Sequence, residues 1–392
     1  MSEKINIAII GGGIIGCCVA LELAKNREDI YVFEKNPGIT RGENQSSRNS
    51  GVLHAGIYYE QDIRPLKARL CVEGNRLLYE FAQKYQLPCK QTGKLIVAND
   101  EVESRILDKY LQQAKTNGVP DVRKIDADEV RRLEPNVCAH SALLVPTSGI
   151  IEPTALLHQV YASASNRGVN FMSQTEVVKL ETTEEAIIVY IRYRDGQEDI
   201  IRADTVINAA GVHAVDIARM TDPQIPIKPA LIRGDSLKFY RNRRPGVFLR
   251  EMNVYPTPIT VNTPTGRHHT VGVHLTPTFD MVDGEMTIGD TVTVGPKLIP
   301  VKHVEDYTTP VPLPEVFLEN MGFFPDLTTA DLEYHQGGIQ ARLDGYHDFY
   351  IKPDRNSRRV IHLLGIDSPG LTAAPAIAKT VANMLTKKFE DF

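Results

Sequence analysis

Six residues near the amino terminus constrain the fold of this chain more than any other feature. The segment Gly11-Gly12-Gly13-Ile14-Ile15-Gly16 separates a β-branched run at residues 5–10 from small and apolar residues at 14–25. Glycines in this pattern permit a tight turn from a strand into a helix that packs closely against it. A second apolar run at residues 30–33 completes a βαβ unit, which predicts a parallel sheet covered by helices.

Residues 5–21, which include the glycine segment, contain no charged side chain. They are therefore hydrophobic enough to be compared with a signal peptide or a membrane anchor. Two features argue against both interpretations. Residues 1–4 carry no net positive charge, and four glycines interrupt the apolar run where a spanning helix keeps larger residues. We therefore expect no integral membrane segment, with peripheral association left open.

The glycine motif and a later acidic residue together predict a dinucleotide site. Glu34 ends the second strand at a spacing from Gly16 close to the ~20 residues typical of an acid that binds the adenosine ribose. The amino terminus of the helix would face the pyrophosphate. An acid at this position disfavours a 2′-phosphate, and so NADP, but the spacing alone does not separate FAD from NAD. A glycine-rich turn between two buried elements, without a ligand, is the plainer alternative.

Charge and cysteine content exclude other classes of function. Lys and Arg number 44 against 49 Asp and Glu, so no basic surface is available for nucleic acid. The chain has five cysteines, an odd number, and no C-x-x-C pair. This pattern predicts neither a disulfide framework nor a metal site. A reducing compartment follows, and we expect a cytoplasmic protein.

A long polar loop after the second strand carries a family resemblance. Residues 45–59 read QSSRNSGVLHAGIYY and resemble the flavin loop of the L-2-hydroxyglutarate dehydrogenases, within the D-amino-acid oxidase-like FAD superfamily. The loop is more distantly similar to that of FAD-dependent glycerol-3-phosphate dehydrogenase. Further similar pieces extend the resemblance over nearly the whole chain: LKARLC (66–71), PTSGI (146–150), VGVHLT (271–276) and SPGLT (368–372).

The resemblance implies an α/β fold in which a Rossmann-like parallel sheet binds FAD and a second, mainly antiparallel β domain binds substrate, as in D-amino-acid oxidase and glycine oxidase. Residues 223–314, rich in Pro, β-branched and aromatic residues, are typical of antiparallel strands. The end of the chain repeats the strand, glycine turn and helix pattern of the first domain, with an apolar strand at 360–364 and a helix at 371–386. We predict a discontinuous FAD-binding domain at 1–85, 146–220 and 335–392, and a substrate domain at 86–145 and 221–334.

The resemblance also assigns cofactor-binding residues by position. They are Gly11, Gly13, Gly16, Glu34 and Lys35 for the adenosine diphosphate; Ser46, Ser47, Asn49, Ser50 and Gly51 from pyrophosphate to flavin; Val177 for adenine; Gly211 near the ribose and phosphates; and Gly365, Gly370, Leu371 and Thr372 for the flavin ring. The last helix would begin at the pyrimidine end of the flavin, where its dipole stabilises negative charge.

Two histidines are candidates for the catalytic base that oxidation of a 2-hydroxy acid requires. His54 lies in the flavin loop beside Ala55 and Gly56, which allow close approach; it would be the base, or it would orient the cofactor. His274 lies in an alternating strand at 271–276. It would be the base, a clamp for a second substrate carboxylate, or a core histidine bonded to a backbone carbonyl.

The expected carboxylate anchor departs from the superfamily pattern. A late strand that commonly carries an arginine has Gln340 at that position, and glutamine cannot form the charged bidentate pair. Arg342 lies two residues on, so a strand would place it on the same face. It is the candidate anchor, unless it pairs with Asp344. Arg233 and Asp235 also share a strand face, and an ion pair explains them as well as catalysis does.

The favoured function is therefore FAD-dependent oxidation of an L-2-hydroxy acid, preferably L-2-hydroxyglutarate to 2-oxoglutarate, by hydride transfer to flavin N5. One alternative is an amine or amino-acid oxidase of the same superfamily, which the histidine loop disfavours. The other is a flavoprotein redox subunit without its own small substrate. Oxygen, a quinone and a soluble carrier all stay open as the electron acceptor.

Overall fold

The computed structural model describes residues 3–42, 44–263 and 266–386. Contacts divide the chain into two compact units, the first comprising residues 1–47, 153–231 and 340–392, and the second 48–152 and 232–339. The helices are α1 (Ile14–Leu23), α2 (Pro65–Tyr85), α3 (Glu101–Thr116), α4 (Ala127–Leu133), α5 (Pro153–Ser165), α6 (Ala214–Thr221), α7 (Pro314–Leu318) and α8 (Gly370–Thr386).

The strands are β1 (Glu3–Ile10), β2 (Ile30–Glu34), β3 (Val52–Leu53), β4 (Cys89–Lys90), β5 (Lys94–Ala98), β6 (Arg123–Asp126), β7 (Ser141–Val145), β8 (Gly149–Ile151), β9 (Asn170–Ser173), β10 (Thr175–Thr182), β11 (Ile187–Tyr193), β12 (Glu198–Asn208), β13 (Pro229–Tyr240), β14 (Asn253–Pro256), β15 (Ile259–Thr263), β16 (Gly266–Thr270), β17 (His274–Val282), β18 (Glu285–Pro300), β19 (Glu333–Leu343), β20 (Tyr350–Pro353) and β21 (Val360–Leu364).

A parallel sheet forms the centre of the first unit. Its parallel strands follow the order β21, β12, β1, β2, β9, and an antiparallel meander through β11 and β10 extends it from β12. Helix α1, built from small and apolar residues, packs against both α5 and α8. Because the helix is covered from several sides, it has no polar face.

Parallel pairing brings the carboxyl ends of four strands to one edge of this sheet. Ile10, Glu34, Asn208 and Leu364 end β1, β2, β12 and β21. Ligands of open parallel sheets bind in the crevice outside this edge. The segments that follow these strands carry most of the cofactor-binding residues predicted for the first unit.

A mixed eight-stranded sheet in the order β19, β13, β18, β17, β14, β5, β7, β6 dominates the second unit. Its two faces differ in chemistry, as period-two alternation along each strand requires. One face is an apolar core that includes Leu95, Val254 and Leu275. The opposite face carries Tyr255 and, one residue before Leu95 and Leu275 respectively, Lys94 and His274.

This architecture confirms the predicted α/β fold with one parallel and one largely antiparallel sheet. The compact units do, however, place residues 48–85 in the second unit, whereas the predicted boundary placed them with the first. The reason is local, because Ile57 and Tyr58 pack in a core with Ile96 and Tyr255. Which segments bind cofactor and which bind substrate stays a prediction.

Candidate active site

The glycine turn after β1 has no room for side chains. Gly11 has a φ of +103°, and a Cβ there would lie 2.6 Å from the carbonyl oxygen of Ala209. A Cβ on Gly16 would lie 1.9 Å from the carbonyl oxygen of Gly11, while one on Gly13 would meet the Ser46 hydroxyl at 3.1 Å. Backbone therefore lines this turn, as close approach to a pyrophosphate requires.

Glu34 ties the end of β2 to the glycine turn. Its carboxylate is buried and accepts the Gly12 amide at 2.7 Å through Oε2 and the Asn36 amide at 2.8 Å through Oε1. Each carboxylate oxygen has a second lone pair. Glu34 is thus fixed in position and retains capacity to accept a ribose hydroxyl.

The amino terminus of α1 is connected to the polar loop by a serine. The Ser46 hydroxyl accepts the Ile14 amide at 2.9 Å. The Asn44 side-chain oxygen in turn accepts the amides of Ser46 and Ser47 at 2.8 and 3.2 Å. Two hydroxyl side chains thereby lie beside a helix amino terminus, where anions bind.

Further predicted cofactor residues lie at the same sheet edge. Gly211 begins a 3-10 helix with a φ of +59°, and nothing lies within 4 Å of its Cβ position. Lys35, directly after β2, reaches His213 of that helix at 2.9 Å. Gln174, between β9 and β10 and three residues before Val177, donates its backbone N–H to the Asn36 carbonyl oxygen.

The turn before α8 also requires glycine. Gly365 has a φ of +67°, and its Cβ would lie 2.7 Å from Leu343 Cδ1. Gly370, Leu371 and Thr372 form the buried first turn of α8. With the acid at β2, the side-chain-free turn and the open space at Gly211, these residues of the first unit fit a dinucleotide.

Asn49, Ser50 and Gly51 fall in the second unit rather than the first. The Asn49 side chain accepts the Gly51 amide at 2.9 Å, and Gly51 has a φ of +75°. This turn leads directly into β3, after which His54 follows. The structure therefore divides the predicted cofactor residues between the two units.

His54 is held in place through its backbone. Its carbonyl oxygen accepts hydrogen bonds from Asn75 Nδ2 at 3.1 Å and from the Cys71 thiol at 3.4 Å, both on α2. Asn75 also donates to the Thr147 carbonyl at 3.0 Å. The loop is consequently fixed to α2, and His54 is half-buried as a residue, with its ring atom Nδ1 buried.

His274 belongs to a stack of charged and aromatic groups on the sheet face. Its ring lies parallel to that of Tyr255, with centroids 3.8 Å apart, and Lys94 Nζ lies 3.8 Å from the same Tyr255 centroid. The His274 Nδ1 lies 3.1 Å from the Gly272 carbonyl oxygen. Only a protonated nitrogen can donate there, so Nε2 of the neutral ring keeps its lone pair.

Burial and the positive charge of Lys94 keep both histidines neutral. Desolvation, followed by the charges of Lys94 and His274, lowers the pKa of His54 well below its usual value. Desolvation likewise lowers the pKa of His274 to about 3, against the raising effect of the Gly272 hydrogen bond. Desolvation lowers the pKa of Lys94 to about 7. A neutral imidazole is the form that accepts a proton.

The arginine candidates have different surroundings. Arg342 pairs with Asp367 at 3.2 Å, not with Asp344 as the alternative interpretation expected, because the turn before α8 lies beside β19. Arg233 and Asp235 form a buried bidentate pair with both N–O distances at 2.9 Å. Arg233 also donates to two backbone carbonyls, so its guanidinium is committed to a structural network.

Lys94 and Tyr255 are the members of this cluster that sequence reasoning missed. The segment Lys94–Ala98 is otherwise apolar, and a lysine at the start of such a strand is ordinarily solvated. The sequence contains only a weak indication that Lys94 is buried, namely a charged first residue in an otherwise apolar strand. Strand pairing of β5 with β14 is what brings it to Tyr255.

Comparisons with known proteins agree with this description. A family model described as FAD dependent oxidoreductase, of the DAO type, matches residues 6–384. The mitochondrial L-2-hydroxyglutarate dehydrogenase of Arabidopsis thaliana is 28% identical over 97% of this chain and 83% of its own length. Glycerol 3-phosphate dehydrogenase of Caloramator mitchellensis is 27% identical over 98% of this chain and 75% of its own.

A solved structure of dithionite-reduced L-alpha-glycerophosphate oxidase from Mycoplasma pneumoniae, with FAD bound, has the same fold. The TM-score is 0.80 at 23% identity, covering 98% of this chain and 96% of that one. The chain belongs to the DAO family of FAD-dependent oxidoreductases. FAD is its cofactor, as predicted, and its similarity to L-2-hydroxyglutarate dehydrogenases is confirmed. Within the described residues, no helix has both the length and the hydrophobicity needed to span a membrane.

Proposed function

We propose that this oxidoreductase oxidises an L-2-hydroxy acid at C2, with L-2-hydroxyglutarate, which yields 2-oxoglutarate, as the favoured substrate. The full-length similarity to proteins named L-2-hydroxyglutarate dehydrogenase supports the substrate class. The observation that carries the proposal is the grouping of His54, His274 and Lys94 within the second unit. Oxidation of an alcohol requires an unprotonated base, which a neutral imidazole supplies, and a nearby cation favours an anionic substrate.

His54 is the proposed base. Its ring is neutral and its backbone is held by Asn75 and Cys71, so it can receive the hydroxyl proton in a fixed position. Bound FAD supplies the acceptor for the hydride that leaves C2. Loss of the hydroxyl proton to His54 makes departure of that hydride easier, because negative charge builds on the oxygen.

His274 and Arg342 have supporting roles in this proposal. The Nε2 lone pair of His274 accepts a hydrogen bond from the substrate or shares the proton with His54. Arg342 stays a candidate anchor for one carboxylate, although Asp367 already balances part of its charge. The cofactor residues at the carboxyl edge of the first sheet hold the adenosine half, with Glu34 on the ribose and Ser46 near the phosphates.

A second candidate substrate is glycerol 3-phosphate, which the similarity to the Caloramator mitchellensis protein favours. It is also an anionic alcohol, so the same base would serve. An amino-acid substrate would not need a base of this kind, because a neutral amine already has a lone pair to assist hydride loss.

Anaerobic bleaching of the flavin tests these candidates together. We expect L-2-hydroxyglutarate to reduce the purified holoenzyme, and the D-isomer, glycerol 3-phosphate and a panel of amino acids to leave it oxidised. Bleaching by glycerol 3-phosphate but not by 2-hydroxy acids would transfer the assignment to that substrate. Bleaching by amino acids alone would reject alcohol oxidation.

A further inference from the structure

Lys94 is a buried cation in an apolar strand. It is 2% exposed, and the residues that follow it in β5, Leu95, Ile96, Val97 and Ala98, are fully buried. Removing an ammonium group from water costs free energy unless a charge partner replaces the water. A buried lysine therefore raises the question of what balances its charge.

The contacts of Lys94 in the described part of the chain do not answer that question. Its Nζ lies 3.8 Å from the Tyr255 ring centroid and 5.5 Å from that of Tyr58. Aromatic faces attract a cation but do not neutralise it. The titratable groups around it, His54, Cys71 and His274, are neutral in the folded protein, since burial lowers the pKa of both histidines and raises that of the thiol.

Buried hydroxyl groups around the contact of Lys94 with Tyr58 and Tyr255 also have few hydrogen-bond partners within the described residues. The Tyr58 hydroxyl is buried and forms no hydrogen bond within the described residues. The hydroxyls of Tyr255 and Thr276, both buried, have no partner there beyond each other. Buried polar groups are normally hydrogen-bonded, so an unpartnered one needs an explanation such as a catalytic role or a bound ion.

We propose that Lys94 binds a carboxylate of the substrate, with the neighbouring hydroxyls completing the anion site. The proposal rests on the proposed function, because it places the anion of a 2-hydroxy acid beside the His54 base. A dicarboxylate needs two cationic positions, and Lys94 supplies one of them. A carboxylate at Lys94 would also cancel the charge that disfavours protonation of His54.

Lys94→Met tests this proposal, because it removes the charge and retains most of the side-chain length. The control is Lys90→Met, since Lys90 lies nearby in sequence but is exposed and paired with Glu251 at 2.7 Å. Both holoenzymes are titrated with glutarate, which carries two carboxylates but no hydroxyl, and binding is followed by calorimetry and by ligand-induced thermal stabilisation. KM and kcat for L-2-hydroxyglutarate are measured in parallel.

We expect Lys94→Met to weaken glutarate binding and raise KM by at least about tenfold, as loss of a buried charge pair does. Its melting temperature without ligand should equal or exceed that of the wild type, because an unbalanced buried charge has been removed. Lys90→Met should change none of these quantities. A Lys94→Met holoenzyme that is less stable without ligand and binds glutarate normally would overturn the proposal and make Lys94 a structural cation.

Two further outcomes are decisive. If neither Lys94→Met nor Lys94→Gln folds and retains FAD, Lys94 is required for folding and the proposal is rejected. If the wild type oxidises no 2-hydroxy acid, the proposed function fails, but malonate, glutarate and glycerol 3-phosphate still test the anion site by thermal stabilisation. Loss of that stabilisation in Lys94→Met alone supports the site, and its persistence rejects it.

Discussion

Glu34 shows how one side chain links local structure to cofactor binding. Its two oxygens accept backbone amides from Gly12 and Asn36, which fixes the carboxylate at the end of β2. The sequence predicts this residue from spacing alone, because the βαβ geometry always brings that strand end beside the glycine turn. The hydrogen bonds to the two amides were not predicted, since they depend on the rotamer.

Glu34→Ala should weaken FAD binding and also lower stability, because the buried Gly12 amide and the half-buried Asn36 amide lose their acceptor. Loss of the acceptor should cost about 1–3 kcal/mol for the buried amide and less for the half-buried one. Equilibrium titration of the apoprotein with FAD measures the first effect, and thermal unfolding the second. Glu22→Ala, which removes only a surface partner of Lys25, is the matched control. An unchanged FAD dissociation constant in Glu34→Ala would reject the ribose-binding role.

Lys94 makes the stability of the protein depend on pH above neutrality. The pKa of Lys94 is about 7 in the folded protein and 10.5 in its ordinary state, so between these values the unfolded chain binds one more proton. The free energy of unfolding of the wild type should therefore rise with pH between about 7 and 10.5, compared with that of Lys94→Met. The neighbouring histidines are neutral throughout this range, and the thiol and phenols stay protonated.

The measurement is the difference in melting temperature between Lys94→Met and wild type at pH 7, 8.5 and 10. We expect the variant to have its largest advantage at pH 7 and little advantage near pH 10. A difference that stays constant over this range would show that Lys94 does not titrate with a depressed pKa.

Helices and strands with a regular pattern of apolar residues and clear end signals were predicted more accurately than those in segments of mixed pattern. The final strand at 360–364 and the final helix agree with the structure to within one residue, because a glycine turn separates two clearly patterned runs. Helices α3 and α4 were not predicted, although Asp100 and Asp126 cap them with side-chain hydrogen bonds. Helix α3 has 16 residues and α4 only 7. Both lie among short strands, so the region as a whole has a mixed pattern.

The division of the second sheet into two chemical faces gives a prediction at the scale of elements. Leu275→Ala opens a cavity in the apolar core and should cost about 2–5 kcal/mol of unfolding free energy. Thr276→Val, on the other face, keeps the shape of the side chain and removes a hydroxyl whose one contact within the described residues is Tyr255. It should cost about 0.5–1.5 kcal/mol, the net contribution of one hydrogen bond. Chemical denaturation of both variants measures this; equal losses would contradict the two-face description.

At the scale of the molecule, the sequence predicted a two-part α/β protein assembled from discontinuous segments. The prediction assigned residues 48–85 to the FAD-binding domain because they resemble a flavin loop, whereas the packing contacts assign them to the second unit. Lys94 was not predicted as a site residue, because its place in the site depends on its contact with Tyr255 and on the neighbouring His274. These two residues are distant from Lys94 in sequence and are brought close to it by the pairing of β5, β14 and β17. Long-range pairing of this kind leaves no local signal.

In the mechanism that we propose, His54 removes the substrate hydroxyl proton during flavin reduction. Rapid-mixing measurement of anaerobic flavin bleaching by L-2-hydroxyglutarate tests it, with wild type, His54→Ala and the exposed control His140→Ala at matched FAD content. We expect His54→Ala to slow bleaching by about 10²–10⁴-fold, the range for loss of a general base, and His140→Ala to match the wild type. A His54→Ala holoenzyme that bleaches at the wild-type rate, with or without a lower FAD content, would contradict the claim and make His54 a cofactor-orienting residue.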